Sequence, residues 1–133
     1  MPEATADREN FCAIPLDPND VFQAISNCRR RRVLLSLDRS ESPTSAGDLA
    51  VELAAIENSV EPSAVTGTQR SRIYNSLIQI HLEKLHEIDA VKYDSRSKQV
   101  ASGDTTAGLA EIIRQVESSC YSRGSELEGE GDI

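Results

Sequence analysis

Tyr74, Leu77, Ile78, His81, Leu82 and Leu85 recur at i, i+3, i+4, i+7, i+8 and i+11. That spacing is one continuous face of an α-helix and predicts a helix over about 68–88. An apolar face of this length must be covered by other elements of the chain. Its opposite face is polar, with Arg72, Asn75, Ser76, Gln79 and Glu83, and with Gln69 and Arg70 in the entry turn.

The covering elements lie on both sides of it. Asp17-Pro18-Asn19-Asp20 is an Asx-type helix start. It opens a first helix over about 19–37 that turns Val21, Phe22, Ile25, Cys28, Val33, Leu34 and Leu37 toward a core. Ser45-Ala46-Gly47-Asp48 resembles a capping box with Asp in the Glu position. A second helix over about 46–57 follows, with Leu49, Ala50, Leu53, Ala54 and Ile56 as its apolar set. Residues 58–68 form a polar loop, longer than a minimal helix-turn-helix needs. Beyond the long helix, 91–94 and 99–101 read as two short strands of a half-buried hairpin. Asp104-Thr105-Thr106 then caps a fourth helix, about 106–121, striped by Leu109, Ile112, Ile113, Val116 and Cys120. The fold class is therefore mainly α with a small β-hairpin. The order is that of a winged helix-turn-helix with an added C-terminal helix, and the hairpin is the wing. The expected organisation is a disordered acidic arm (1–18), the winged domain (19–103), the C-terminal helix (104–121) and a disordered acidic tail (122–133).

Composition narrows the function. At 133 residues the chain is too short for a doubly wound cofactor fold or an eight-fold barrel. With no Trp, two Phe and three Tyr, the core must be aliphatic. No apolar run approaches the roughly 20 residues that span a bilayer, and the polar, acidic N-terminus reads as neither a secretory signal nor a transit peptide. Cys12, Cys28 and Cys120 are widely spaced, without a CxxC, and read as free thiols of a reducing cytoplasm. Arg outnumbers Lys 11 to 3, which with many acids and few aromatics suggests a very salty cytoplasm. The net charge of −8 speaks against nucleic acid until it is apportioned. Residues 1–18 hold four acids and one base, and 104–133 hold seven and two, whereas 19–103 hold eleven of each. The excess lies entirely outside the central domain.

No catalytic constellation, phosphate-cradling Gly loop or metal motif stands out, so the expectation is a non-enzyme with no cofactor and no metal. His81 and His86, five residues apart, point about 140° apart around a helix and cannot share a metal on their own. His81 lies on the apolar stripe and reads as a hydrogen-bonded, partly buried side chain; Cys28 reads as packed. Arg70, Arg72, Asn75, Ser76 and Gln79 carry the groups that bond base edges in a major groove. Around the wing tip, Lys92, Arg96 and Lys98 suit backbone phosphate. Arg29 to Arg32 point around a whole helix circumference, so one or two can reach phosphate while at least one pairs with acids on the second helix or the hairpin. The fourth helix either folds back or pairs with its copy; the reading adopted is a homodimer through Leu109, Ile112, Ile113 and Val116, as palindromic half-sites require.

Residues 20–37 (DVFQAISNCRRRRVLLSL) resemble the opening helix of ArsR-like winged-helix regulators, in which a short polar break and an Arg-rich stretch precede an aliphatic pair. Residues 80–91 (IHLEKLHEIDAV) look like the end of their recognition helix and the first wing strand, and 91–100 (VKYDSRSKQV) are similar to their wing. The chain is similar to haloarchaeal ArsR-like domains over about 20–101. It implies a dimeric DNA-binding transcriptional regulator in an extreme halophile. Three departures are visible, one of them an insertion at 58–67 between the second and third helices. The turn Gly before the wing is replaced around Asp89-Ala90, where Asp tolerates the left-handed region better than most residues. The Cys-containing metal motif is absent from the second helix, Ser45 to Ile56, so metal sensing is not implied. The partner expected is double-stranded DNA, with Arg70, Arg72, Asn75, Ser76 and Gln79 at bases or nearby phosphates and Arg96 and Lys98 on the backbone. The alternative is a winged helix that binds another protein and no DNA.

Overall fold

The computed structural model of the chain describes residues 14–120. Over these residues it is mainly helical, with one small antiparallel sheet and a C-terminal helix. Cys12, the tail 122–133 and most of the arm expected at 1–18 lie outside the described residues. The part of that arm that is described packs: Leu16 is half-buried against the core and Ile14 lies against Gly108.

The single helix expected over 19–37 is two. Helix α1 (Pro18–Ile25) starts at Asp17, whose carboxylate accepts from the Asn19 N–H. The chain breaks at Ser26-Asn27, and the Asn27 side chain accepts from the Arg29 and Arg30 N–H groups to start α2 (Cys28–Arg39). A side-chain acceptor here competes with the helical ladder and wins, because it satisfies two otherwise orphaned donors. The break resets the helical phase: Val33, Leu34 and Leu37 are buried as expected, but Phe22 is 63% exposed and Cys28 is also exposed.

Strand β1 (Thr44–Ser45) follows, too short to leave a pattern in the sequence. Ser45 then caps α3 (Ala46–Asn58), its hydroxyl accepting from the Asp48 N–H at 3.0 Å. Leu49, Ala50, Leu53 and Ala54 are buried; Ile56, expected inward, is 44% exposed. The polar loop contains a 3₁₀ turn, Pro62–Ala64.

The long helix expected over 68–88 runs in three pieces: α4 (Gly67–Ser76), a π turn (Leu77–His81) and α5 (Leu82–Glu87). The π turn has a clear cause. Ile73, Leu77, His81 and Leu85 are all buried and spaced by four. Three such steps would rotate a straight α-helix about 120° off the core. One residue taken up by a π turn returns about 100° of that and keeps the set on one face. Tyr74 and Ile78, on the stripe read from the sequence, are half-buried beside it.

Helix α5 ends in a Schellman motif, with Asp89 N–H donating to the His86 carbonyl and Ala90 N–H to that of Leu85. Asp89 stands where glycine is usual, at φ 61°. Strands β2 (Val91–Asp94) and β3 (Gln99–Ser102) form the hairpin, and the sheet order is β1-β3-β2. Thr44 faces Val100, which faces Tyr93 across the other ladder.

Helix α6 (Thr106–Cys120) folds back on α1 and α2. Leu109, Ala110 and Ile113 are fully buried. Arg31 pairs with Glu117 at 3.2 Å and Arg114 with Asp38 at 2.7 Å. Of the stripe expected to mediate dimerisation, Leu109 and Ile113 therefore belong to the chain's own core. Ile112 is half-buried and Val116 is 42% exposed.

Candidate functional site

The start of α4 is fixed by a reciprocal capping box. The Gln69 N–H donates to the Thr66 hydroxyl at 3.1 Å, and the Thr66 N–H donates to Gln69 Oε1 at 3.0 Å. Beyond this anchored start Arg70, Arg72 and Asn75 of α4 and Gln79 of the π turn face solvent, while Ser76 is half-buried. An open depression of about 560 Å³ borders the same turn, lined by Gly67, Thr68, Ser71 and Arg72.

Arg70 is held rather than free. Its guanidinium lies over the Tyr74 ring, 5.4 Å from the centroid. A Cβ at Gly47 would come within 2.8 Å of its Nη2, so Arg70 lies against the first turn of α3. The neighbouring Ala46 N–H donates to the Lys98 carbonyl at 2.8 Å. The first turn of α3 therefore touches α4 through Arg70 and the hairpin through Lys98, and it brings the two expected contact elements together.

Asp94 builds the hairpin tip. Its carboxylate accepts from the Arg96 N–H and the Ser97 hydroxyl, and its carbonyl accepts from the Lys98 N–H at 2.7 Å. These hydrogen bonds, the Arg96 N–H first, hold the carboxyl below its ordinary pKa. Lys98 occupies the left-handed region at φ 61°, and its ammonium bonds back to the Ser95 carbonyl. Lys98 is thus turned into its own turn, leaving Arg96 as the tip's exposed cation and Lys92 exposed on β2.

The Arg run divides its work. Arg29 pairs with Glu57 of α3 at 2.7 Å. Arg30 donates from Nε to His81 Nδ1 at 3.1 Å and from Nη1 to the Gln23 carbonyl at 2.8 Å, tying α1 to the π turn. Arg31 bonds the Ile25 carbonyl as well as Glu117. Three of the four arginines thus serve the fold. His81, buried and accepting from Arg30, stays neutral; burial first, then the charges of Arg30 and Arg29, push its pKa down to about 4. Among the described residues no three His, Cys, Asp or Glu side chains are grouped to hold a metal ion, and no helix is long and apolar enough to cross a membrane.

Sequence reasoning missed one charge feature. No acid occurs between Glu61 and Glu83, in a chain with 22 acids. That interval spans all of α4 and the π turn, so every charge it exposes is positive.

A mainly helical domain with a three-stranded sheet, whose α3 links an acid-free helix to a hairpin tip, defines the class. Within it, the chain belongs to the family described as Domain of unknown function (DUF7344), whose model matches residues 22–101. The match runs from α1 through β3 and leaves out α6. No curated protein and no solved structure matches the chain.

Proposed function

We propose that the chain is a winged helix-turn-helix regulator that binds double-stranded DNA, with α4 in the major groove and the β2–β3 wing on the backbone. The observation that carries this reading is the acid-free, solvent-facing surface of α4, joined to the wing through the first turn of α3. Arg72, Asn75 and Gln79 supply base-reading groups, a bidentate donor for G and amides for A. Arg70, braced by Tyr74, suits a fixed contact at a base or phosphate. Arg96 is the wing's backbone contact, and Lys98 serves the turn first. The order helix, strand, helix, helix, hairpin supports a winged helix over other small α-rich folds. The protein acts in the cytoplasm by occupying a promoter site, without catalysis or cofactor. It works as a homodimer whose contact uses the Ile112 and Val116 edge of α6.

The alternative, a winged helix that binds protein instead, fits less well, because its surface would not need to be cleared of acids. Selection of duplexes from a random-sequence pool in molar KCl tests the proposal. At that salt the Debye length is about 3 Å, so short-range contacts must supply the specificity. Enrichment of one sequence class is the expected result. A pool that stays random while the chain captures a protein partner favours the alternative.

A further inference from the structure

We propose that Cys28 and Cys120 are a redox-responsive pair that closes to a disulfide between α2 and α6. The two helices run antiparallel, since Arg31 meets Glu117 while Asp38, further along α2, meets Arg114, earlier in α6. In antiparallel packing, a step back on one helix faces a step forward on the other. One turn back from Arg31 is Cys28, and one turn on from Glu117 is Cys120. The spacing agrees on both sides. Cys28, Arg31, Leu35 and Asp38 share one stripe of α2, and Ile113, Glu117 and Cys120 share one stripe of α6. The ion pair fixes the register, and each cysteine lies one turn beyond it.

Both thiols are reduced and exposed, so an oxidant reaches them. Cys28 is the first residue of its helix, just after the Asn27 cap. A first turn shifts easily, which lets the Cys28 backbone reach the Cα separation of about 4.4–6.8 Å that a disulfide needs. The oxidant proposed is a peroxide. One sulfur attacks the O–O bond, giving a sulfenic acid and one water. The second sulfur then displaces the hydroxyl from the first, the S–S bond forms, and a second water leaves with the remaining proton. Two electrons pass from sulfur to the peroxide oxygens. The link joins the family's domain, which holds Cys28, to the helix outside it, which holds Cys120.

The test uses the full chain with Cys12→Ser, dilute, treated with hydrogen peroxide and digested without reduction for mass mapping. The expected result is loss of both titratable thiols and a peptide pair joining 28 to 120, two hydrogen atoms lighter than the reduced peptides. The link should form within a monomer, vanish on adding dithiothreitol, and be absent from the Cys28→Ser and Cys120→Ser versions. The unsubstituted chain should give the same peptide pair. Thiols that stay titratable, over-oxidation without a link, or a 28–120 link found only between two chains would overturn the proposal.

Discussion

Gly103 has no rotational excuse for being glycine, since its φ is not positive, yet a Cβ there would lie 2.4 Å from the Asp89 carbonyl oxygen and 3.0 Å from the Val91 nitrogen. Both are backbone atoms and cannot move aside. Gly103→Ala should therefore destabilise the chain by about 1–3 kcal/mol in urea unfolding, the usual cost of overpacking. An unchanged midpoint would show that the β3–α6 turn relaxes freely. His81 yields a pH prediction. Its folded pKa, near 4, lies below the ordinary 6.5, so the unfolded chain binds more protons between these values. Its contribution is complete above pH 6.5 and is lost as pH falls toward 4, by on the order of 3 kcal/mol at most. Gln at position 81 keeps an acceptor for Arg30 without titrating, so the stability difference between wild type and His81→Gln should narrow or reverse over that range. A difference independent of pH would contradict the buried neutral histidine. The sequence revealed the αL demand at Asp89, which is local, but not that at Gly103, which depends on a strand and a turn meeting.

At the scale of elements, what could be read in advance was what the chain determines locally. The hairpin and the face of α4 follow from periodicity, and the α3 start follows from Ser45. The α1–α2 break hinges on Asn27 preferring to cap rather than continue, and periodicity alone did not weigh that choice. The π turn was hidden for another reason: the six-residue stripe fits a straight helix, and only the burial of Ile73 shows that four-residue spacing prevails. Helix α6 was legible as amphipathic but not in its destination, because a stripe does not say what covers it. Its partner is α2, and the two substitutions that separate core from edge are Ile113→Ala and Val116→Ala. The first should cost about 2–5 kcal/mol, as for a buried Ile elsewhere, and the second less than about 0.5 kcal/mol. Equal small losses in thermal melts would mean that α6 does not pack on the domain.

For the whole molecule, the distribution of charge matters more than its total. The net −8 conceals a neutral centre, and within that centre the acids avoid α4. Of the site residues read from the sequence, Arg70, Arg72, Asn75, Gln79 and Arg96 face solvent, Ser76 is half-buried and Lys98 is engaged by its own turn. The last could not be foreseen, since it follows from the left-handed backbone of the hairpin. Val116→Glu should reduce the proposed homodimer to a monomer in sedimentation at micromolar concentration without altering the fold; an unchanged mass would place the contact elsewhere. Whether α4 reads DNA is decided by titrating wild type and Arg72→Ala onto a selected duplex at matched salt. Arg72→Ala should lose about 1–3 kcal/mol, roughly 5- to 150-fold in affinity, with thermal stability unchanged; equal affinity for the two proteins would rule out base reading by α4.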